Sequence, residues 1–135
     1  MKKIFSVFAL SILIVSLLTA ASPLPNTTFK LLQGLPQTMN VGETYTVVVR
    51  VESDQPFLFA QALPSFQYVG KGVVAVQGGD HAGRGTSSTL ELTFRAKSPT
   101  TQMPDGIAPV YVVVGVRYPG GYMATEEYLF SVTVP

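Results

Sequence analysis

His81 is the only histidine of this 135-residue chain, and it stands beside Asp80 in the glycine-rich run Gly78-Gly79-Asp80-His81-Ala82-Gly83-Arg84-Gly85. An Asp–His pair can activate a nucleophile, so this run is the first place to look for hydrolase chemistry. The nucleophile is missing. No Gly-x-Ser-x-Gly turn presents a serine, Ser87 and Ser88 are ordinary loop serines, and the chain has no cysteine. An exposed loop histidine is the simpler reading, and the sequence predicts no catalytic residue. The run also has no adjacent lysine and no following helix, so it forms no phosphate cradle; its glycines suit a connection that needs positive φ. Asp54, Asp80, Asp105, Glu126 and Glu127 are the available carboxylates, with no Asp-x-Asp-x-Asp series among them. One histidine and no thiol leave only oxygen donors, and the sequence predicts neither metal nor cofactor.

Two aromatic rings lean toward binding. Tyr118 and Tyr122 flank Pro119-Gly120-Gly121 at a turn. The core has no room there for both rings, and a tyrosine at such a tip stacks on a sugar face or anchors a protein partner. The alternative is that one ring folds back over a sheet edge. The candidate binding residues are therefore Tyr118, Pro119 and Tyr122 with Asp80, His81 and Arg84, all expected at loop tips. The partners expected are another protein or a surface polysaccharide.

These residues must be held by strands, because from Thr27 onward the chain alternates β-branched and aromatic residues with period two, between clusters of Gly, Pro, Ser, Asn and Asp. Thr89 to Lys97 turns Leu90, Leu92, Phe94 and Ala96 one way and Thr89, Glu91, Thr93, Arg95 and Lys97 the other. Such a strand has one buried face and one wet face. Glu127 to Val134 repeats the pattern as the closing strand, and Thr44 to Glu52, after the turn Val41-Gly42-Glu43, places Tyr45, Val47, Val49 and Val51 inward. Val110 to Tyr118 is apolar on both faces, which predicts a central strand. Weaker strands are read at Thr27 to Leu32, Phe57 to Ala62, Phe66 to Val69 and Val73 to Gln77, with Pro36, Pro56, Pro64, Pro99, Pro104, Pro109 and Pro119 between runs. Seven or eight mainly antiparallel strands in about a hundred residues predict an all-β, immunoglobulin-like β-sandwich. Long connections at Gly78 to Ser88 and Ser98 to Pro109 favour it over an up-and-down barrel. Without Cys or Trp, the large core members expected are Tyr45, Phe59, Phe66, Phe94 and Phe130.

Residues 1 to 21, MKKIFSVFALSILIVSLLTAA, read as a signal peptide: Lys2 and Lys3, an uncharged run from Ile4 to Leu18, then small residues ending at Ala21. The segment Ile4 to Ala21 is slightly short of the roughly 20 residues that span a bilayer, so cleavage before Ser22 is expected, with membrane contact only through the uncleaved leader. Residues 22–36 would be an N-terminal segment with a first strand, and 37–135 the sandwich domain. Removing Lys2 and Lys3 leaves seven basic residues, scattered singly, against eight acidic, a net charge of −1. That argues against nucleic acid, which needs a concentrated basic patch. The expectation is a secreted or cell-envelope protein without disulfides or enzymatic activity.

The stretch Asn40-Val41-Gly42-Glu43-Thr44-Tyr45-Thr46-Val47-Val48-Val49-Arg50-Val51 resembles the opening of bacterial extracellular immunoglobulin-like modules. Ala108-Pro109-Val110-Tyr111-Val112-Val113-Val114 with the Gly-rich turn after it resembles their close. That resemblance implies a non-catalytic module working through its surface or loops, alone or as a subunit of a surface assembly. The segments 52–57, 78–85 and 117–122 also stand in the chain order of the three loops that chagasin-type inhibitors insert into papain-like proteases. The Asn-Pro-Thr-Thr-Gly first loop of that family is absent, the glycines of the second lack its compact spacing, and Arg117-Tyr118-Pro119-Gly120 replaces its Arg-Pro-aromatic third. A carbohydrate-binding module is the remaining alternative.

Overall fold

The computed structural model describes residues 23–65 and 71–135. The leader at 1–21, the strand read at Phe66 to Val69 and the core place given to Phe66 lie outside them. Eight strands follow in chain order: β1 (Thr27–Gln33), β2 (Thr44–Phe57), β3 (Phe59–Ser65), β4 (Val73–Ala75), β5 (Asp80–Ala82), β6 (Gly85–Ala96), β7 (Ala108–Arg117) and β8 (Met123–Val132). They form two four-stranded antiparallel sheets, ordered β1-β2-β6-β4 and β5-β3-β7-β8. The first, second, sixth and fourth strands on one sheet and the third, seventh and eighth on the other is the immunoglobulin sandwich connectivity, with β5 added at an edge. β1 pairs along β2 from Thr27↔Ser53 to Gln33↔Val48, so the 22–36 segment contributes a strand to this sandwich.

Alternation sets the faces. Val47, Val49 and Val51 of β2 and Leu90, Leu92, Phe94 and Ala96 of β6 are buried against Val110, Val112, Val114 and Val116 of β7, which is central between β3 and β8 as its double apolar face predicts. The large side chains differ from expectation. Phe94 is fully buried and Phe130 packs partly against the core, but the other fully buried large residues are Tyr118, Phe57, Met39 and Leu90. Tyr45 has the inward parity, yet it opens β2, stays 36% exposed and donates its hydroxyl to Glu43 Oε2. Phe59 is on the outer face because the run Phe57 to Ala62 is not one strand. The chain leaves one sheet at Phe57, bends at Leu58 and enters the other, so Phe57 and Ala60 point inward and Phe59 outward.

Two further readings are corrected. Pro56, Pro64 and Pro109 lie inside strands, each where a missing N–H breaks no ladder: Pro56 where the β2–β6 register breaks between Glu52 and Phe57, Pro64 beyond the β5 pairing, and Pro109 beyond the last β3 partner at Tyr111. The Gly78 to Ser88 connection is largely strand. It holds β5 and the start of β6, carrying the chain from one sheet to the other and back.

Thr100 is the one fully buried polar residue among those described. Its hydroxyl donates to the Gly106 carbonyl at 2.6 Å and accepts the Val134 N–H at 3.0 Å, which ties the last residues to the β6–β7 connection. Thr100→Val keeps the volume and orphans both backbone groups, so urea unfolding should show a loss of about 1–3 kcal/mol. Tyr128 on β8 gives a pH dependence. Burial, then the Glu126 carboxylate, raise its phenol above the ordinary 10.0. The folded state thus favours the neutral ring; this contribution is complete below pH 10 and is lost as pH rises through the raised value. Melting temperatures should fall as pH rises from 10 toward that raised value, and less steeply in Tyr128→Phe.

Candidate functional site

Register brings three connections to one end of the sandwich. Phe57 pairs Gly85, Ala60 pairs Ala82 and Phe59 pairs Arg117, so the Leu58 corner, the Gly83-Arg84 turn and the hairpin after β7 share that end. In the hairpin the Tyr118 carbonyl accepts the Gly121 N–H at 3.2 Å. Pro119 presets the second turn position, and Gly120 at φ 88° fills the third, which is the type II arrangement. The Tyr118 N–H donates to the Tyr122 carbonyl at 2.8 Å and closes the loop.

The two tyrosines then separate. Tyr118 is 2% exposed: its ring belongs to the core rather than the tip, because the inward face of β7 continues through it after Val116. The Tyr118 hydroxyl donates to Ser53 Oγ at 2.7 Å on β2 and shares a 2.6 Å hydrogen bond with Thr27 Oγ1 on β1, so it bridges the two sheets. Ser53 Oγ also accepts the Gln55 N–H at 3.2 Å. Tyr122 remains 38% exposed, its ring centroid 5.8 Å from that of Tyr118 at 34°.

Tyr122, Pro119 and Gly120 form one wall of a groove of about 500 Å³. Pro23, Leu24, Pro25, Gln55 and Pro56 form the other, with the edge of Tyr118 between them. The amino-terminal wall is pinned by Gln55 Nε2 donating to the Pro23 carbonyl at 3.2 Å and by the Asn26 N–H donating to Asp54 Oδ1 at 2.8 Å. Leu24 is 69% exposed at the rim, and no charged side chain lines the groove. The arrangement can hold an apolar side chain between rigid rings.

Asp80, His81 and Arg84 are not part of this groove. Asp80 Oδ1 accepts the His81 N–H at 3.0 Å and Oδ2 accepts the Glu91 N–H at 2.7 Å. Its carboxylate thus staples β5 to β6 rather than orienting the imidazole. The His81 ring stacks on Phe59 with centroids 5.7 Å apart, and Arg84 is exposed in the turn before β6. Among the described residues no three His, Asp or Glu side chains gather as a metal site. Sequence reasoning missed Pro23, Leu24 and Pro25, and it placed Gln55 and Pro56 in the 52–57 loop without joining that loop to them. Their signal was rigidity and apolarity beside β1 and β2, and only the β1–β2 register shows that they meet the hairpin.

No family model matches this chain, and no curated protein matches it. Solved structures similar in shape include E. coli alpha-2-macroglobulin in its native conformation, at 15% identity and a TM-score of 0.46, over 84% of this chain. The chain spans 7% of that protein's length. AvmM, described as catalysing macrocyclization in alchivemycin A biosynthesis, is similar at 11% identity and a TM-score of 0.45, over 81% of this chain and 88% of its own. Murine CRIg is similar at 10% identity and a TM-score of 0.39, over 82% and 98%.

Proposed function

We propose that this chain is an exported, non-catalytic immunoglobulin-like module that binds a protein partner through the proline–tyrosine groove at its loop end. The observation that carries this reading is the lining. Four prolines and an exposed tyrosine lose little conformational freedom on binding, and the absence of charged side chains from the lining favours an apolar anchor over an ionic ligand. A sugar platform is less well supported, because Tyr118 turns its ring into the core and leaves one exposed aromatic rather than two. The convergence of three loops on one end supports inhibition of papain-like proteases as a second reading, which unimpaired papain activity at micromolar concentrations of this protein would remove.

Selection of a displayed random-peptide library on the protein recovered after export tests the main reading. Enriched peptides should carry a large apolar anchor and lose binding to Tyr122→Ala. Enrichment that ignores Tyr122 would contradict it.

A further inference from the structure

The outer face of the β5-β3-β7-β8 sheet is a second surface, which begins beside the hairpin at Arg117 and Met123 and runs along the strands away from the loop-end groove. Pairing places Phe59, Arg117 and Met123 in one row, Gln61, Gly115 and Thr125 in the next, and Leu63, Val113 and Glu127 in a third. The middle row is the floor of a groove of about 270 Å³, with Leu63 at 44% exposure and Met123 at 54% beside it. A glycine in a central strand lowers stability relative to a residue with a side chain. Nothing in the monomer demands one at 115: a Cβ there would meet only Met123 Sδ, at 3.8 Å, an ordinary contact.

The charges on this face are self-complementary. Gly115 pairs Thr125; Arg117 lies two residues beyond Gly115 on β7, and Glu127 two residues beyond Thr125 on the antiparallel β8. They therefore stand on opposite sides of the Gly115 row, each about 7 Å from it at the rise of a strand. The one ion pair among the described residues joins Arg50 and Glu52, leaving both of these charges uncommitted. We infer that a second copy of this chain packs face to face here. A two-fold axis in the plane of the face, running across the strands through the Gly115 row, sets Arg117 of each copy over Val113 of the other, one strand from Glu127 and within reach of its carboxylate. It also lays the Phe59 and Met123 row over the Leu63 and Val113 row. Gly115 meets its own counterpart, where the absence of a side chain allows close approach. Such an interface is isologous and closes at a dimer.

Sedimentation equilibrium of the protein recovered after export, up to roughly 1 mM, should show a monomer–dimer equilibrium. Arg117→Glu brings two like-charge contacts into the dimer and should weaken it by about tenfold or more. Adding Glu127→Arg to the same chain should restore association. Gly115→Val should abolish the dimer while leaving the melting temperature of the monomer unchanged or higher. A monomer at every concentration overturns the inference, as does a dimer indifferent to the charge reversals.

Discussion

Tyr118→Ala is expected to lower the free energy of unfolding by about 3–5 kcal/mol, a large part of the ~5–15 kcal/mol that holds a domain of this size. The effect has two sources. The ring is 2% exposed and its removal opens a cavity where β7 leaves the core, and the hydroxyl ties the end of β7 to Ser53 of β2 and Thr27 of β1 on the opposite sheet. Tyr118→Phe separates these contributions. It keeps the ring and removes the polar bridge, so about 1–2 kcal/mol should be lost. Urea denaturation followed by tyrosine fluorescence or circular dichroism reads both values. Equal losses in the two variants would show that the bridge, rather than ring packing, dominates.

Tyr122→Ala should do the reverse. The ring is 38% exposed and its one described aromatic contact is the tilted stack on Tyr118, so stability should change by no more than about 1 kcal/mol. Its removal takes away a wall of the groove. Loss of a central aromatic anchor at a protein interface costs at least about 2 kcal/mol, so affinity for a selected peptide should fall by roughly 30-fold or more. One hairpin thus carries two tyrosines whose substitutions should separate cleanly. A joint replacement of both would confound unfolding with lost binding.

The strands were legible wherever one face is wet. Leu90 to Ala96 and Tyr128 to Val134 alternate so regularly that period alone assigns their faces, and the doubly apolar Val110 to Val116 run identifies its own central place. Phe59 was misplaced because period two carries no mark where a chain changes sheets. The bend at Leu58 reverses the parity that Phe57 and Phe59 would otherwise share. Parity places Tyr118 on the same face as Val110 to Val116, whereas its position in an aromatic turn suggests a loop tip; the polar partners of its hydroxyl, Thr27 and Ser53, are 91 and 65 residues away along the chain and carry no local signal. Asp80 and His81, expected at a loop tip, lie on β5, whose three residues are too few to show a period. Neighbours in sequence on a strand point to opposite faces, and the Asp80 carboxylate turns to the Glu91 backbone of β6. The amino-terminal wall of the groove carries no periodicity, so only tertiary register could place it.

The most direct test of a loop-end binding site is amide chemical-shift mapping with a peptide from the display selection. The groove account predicts that shifts concentrate at Gln55, Gly120, Gly121 and Tyr122 and vanish in Tyr122→Ala. Shifts centred on Gln61, Gly115 and Thr125, with the hairpin silent, would contradict it and move ligand binding to the outer sheet face.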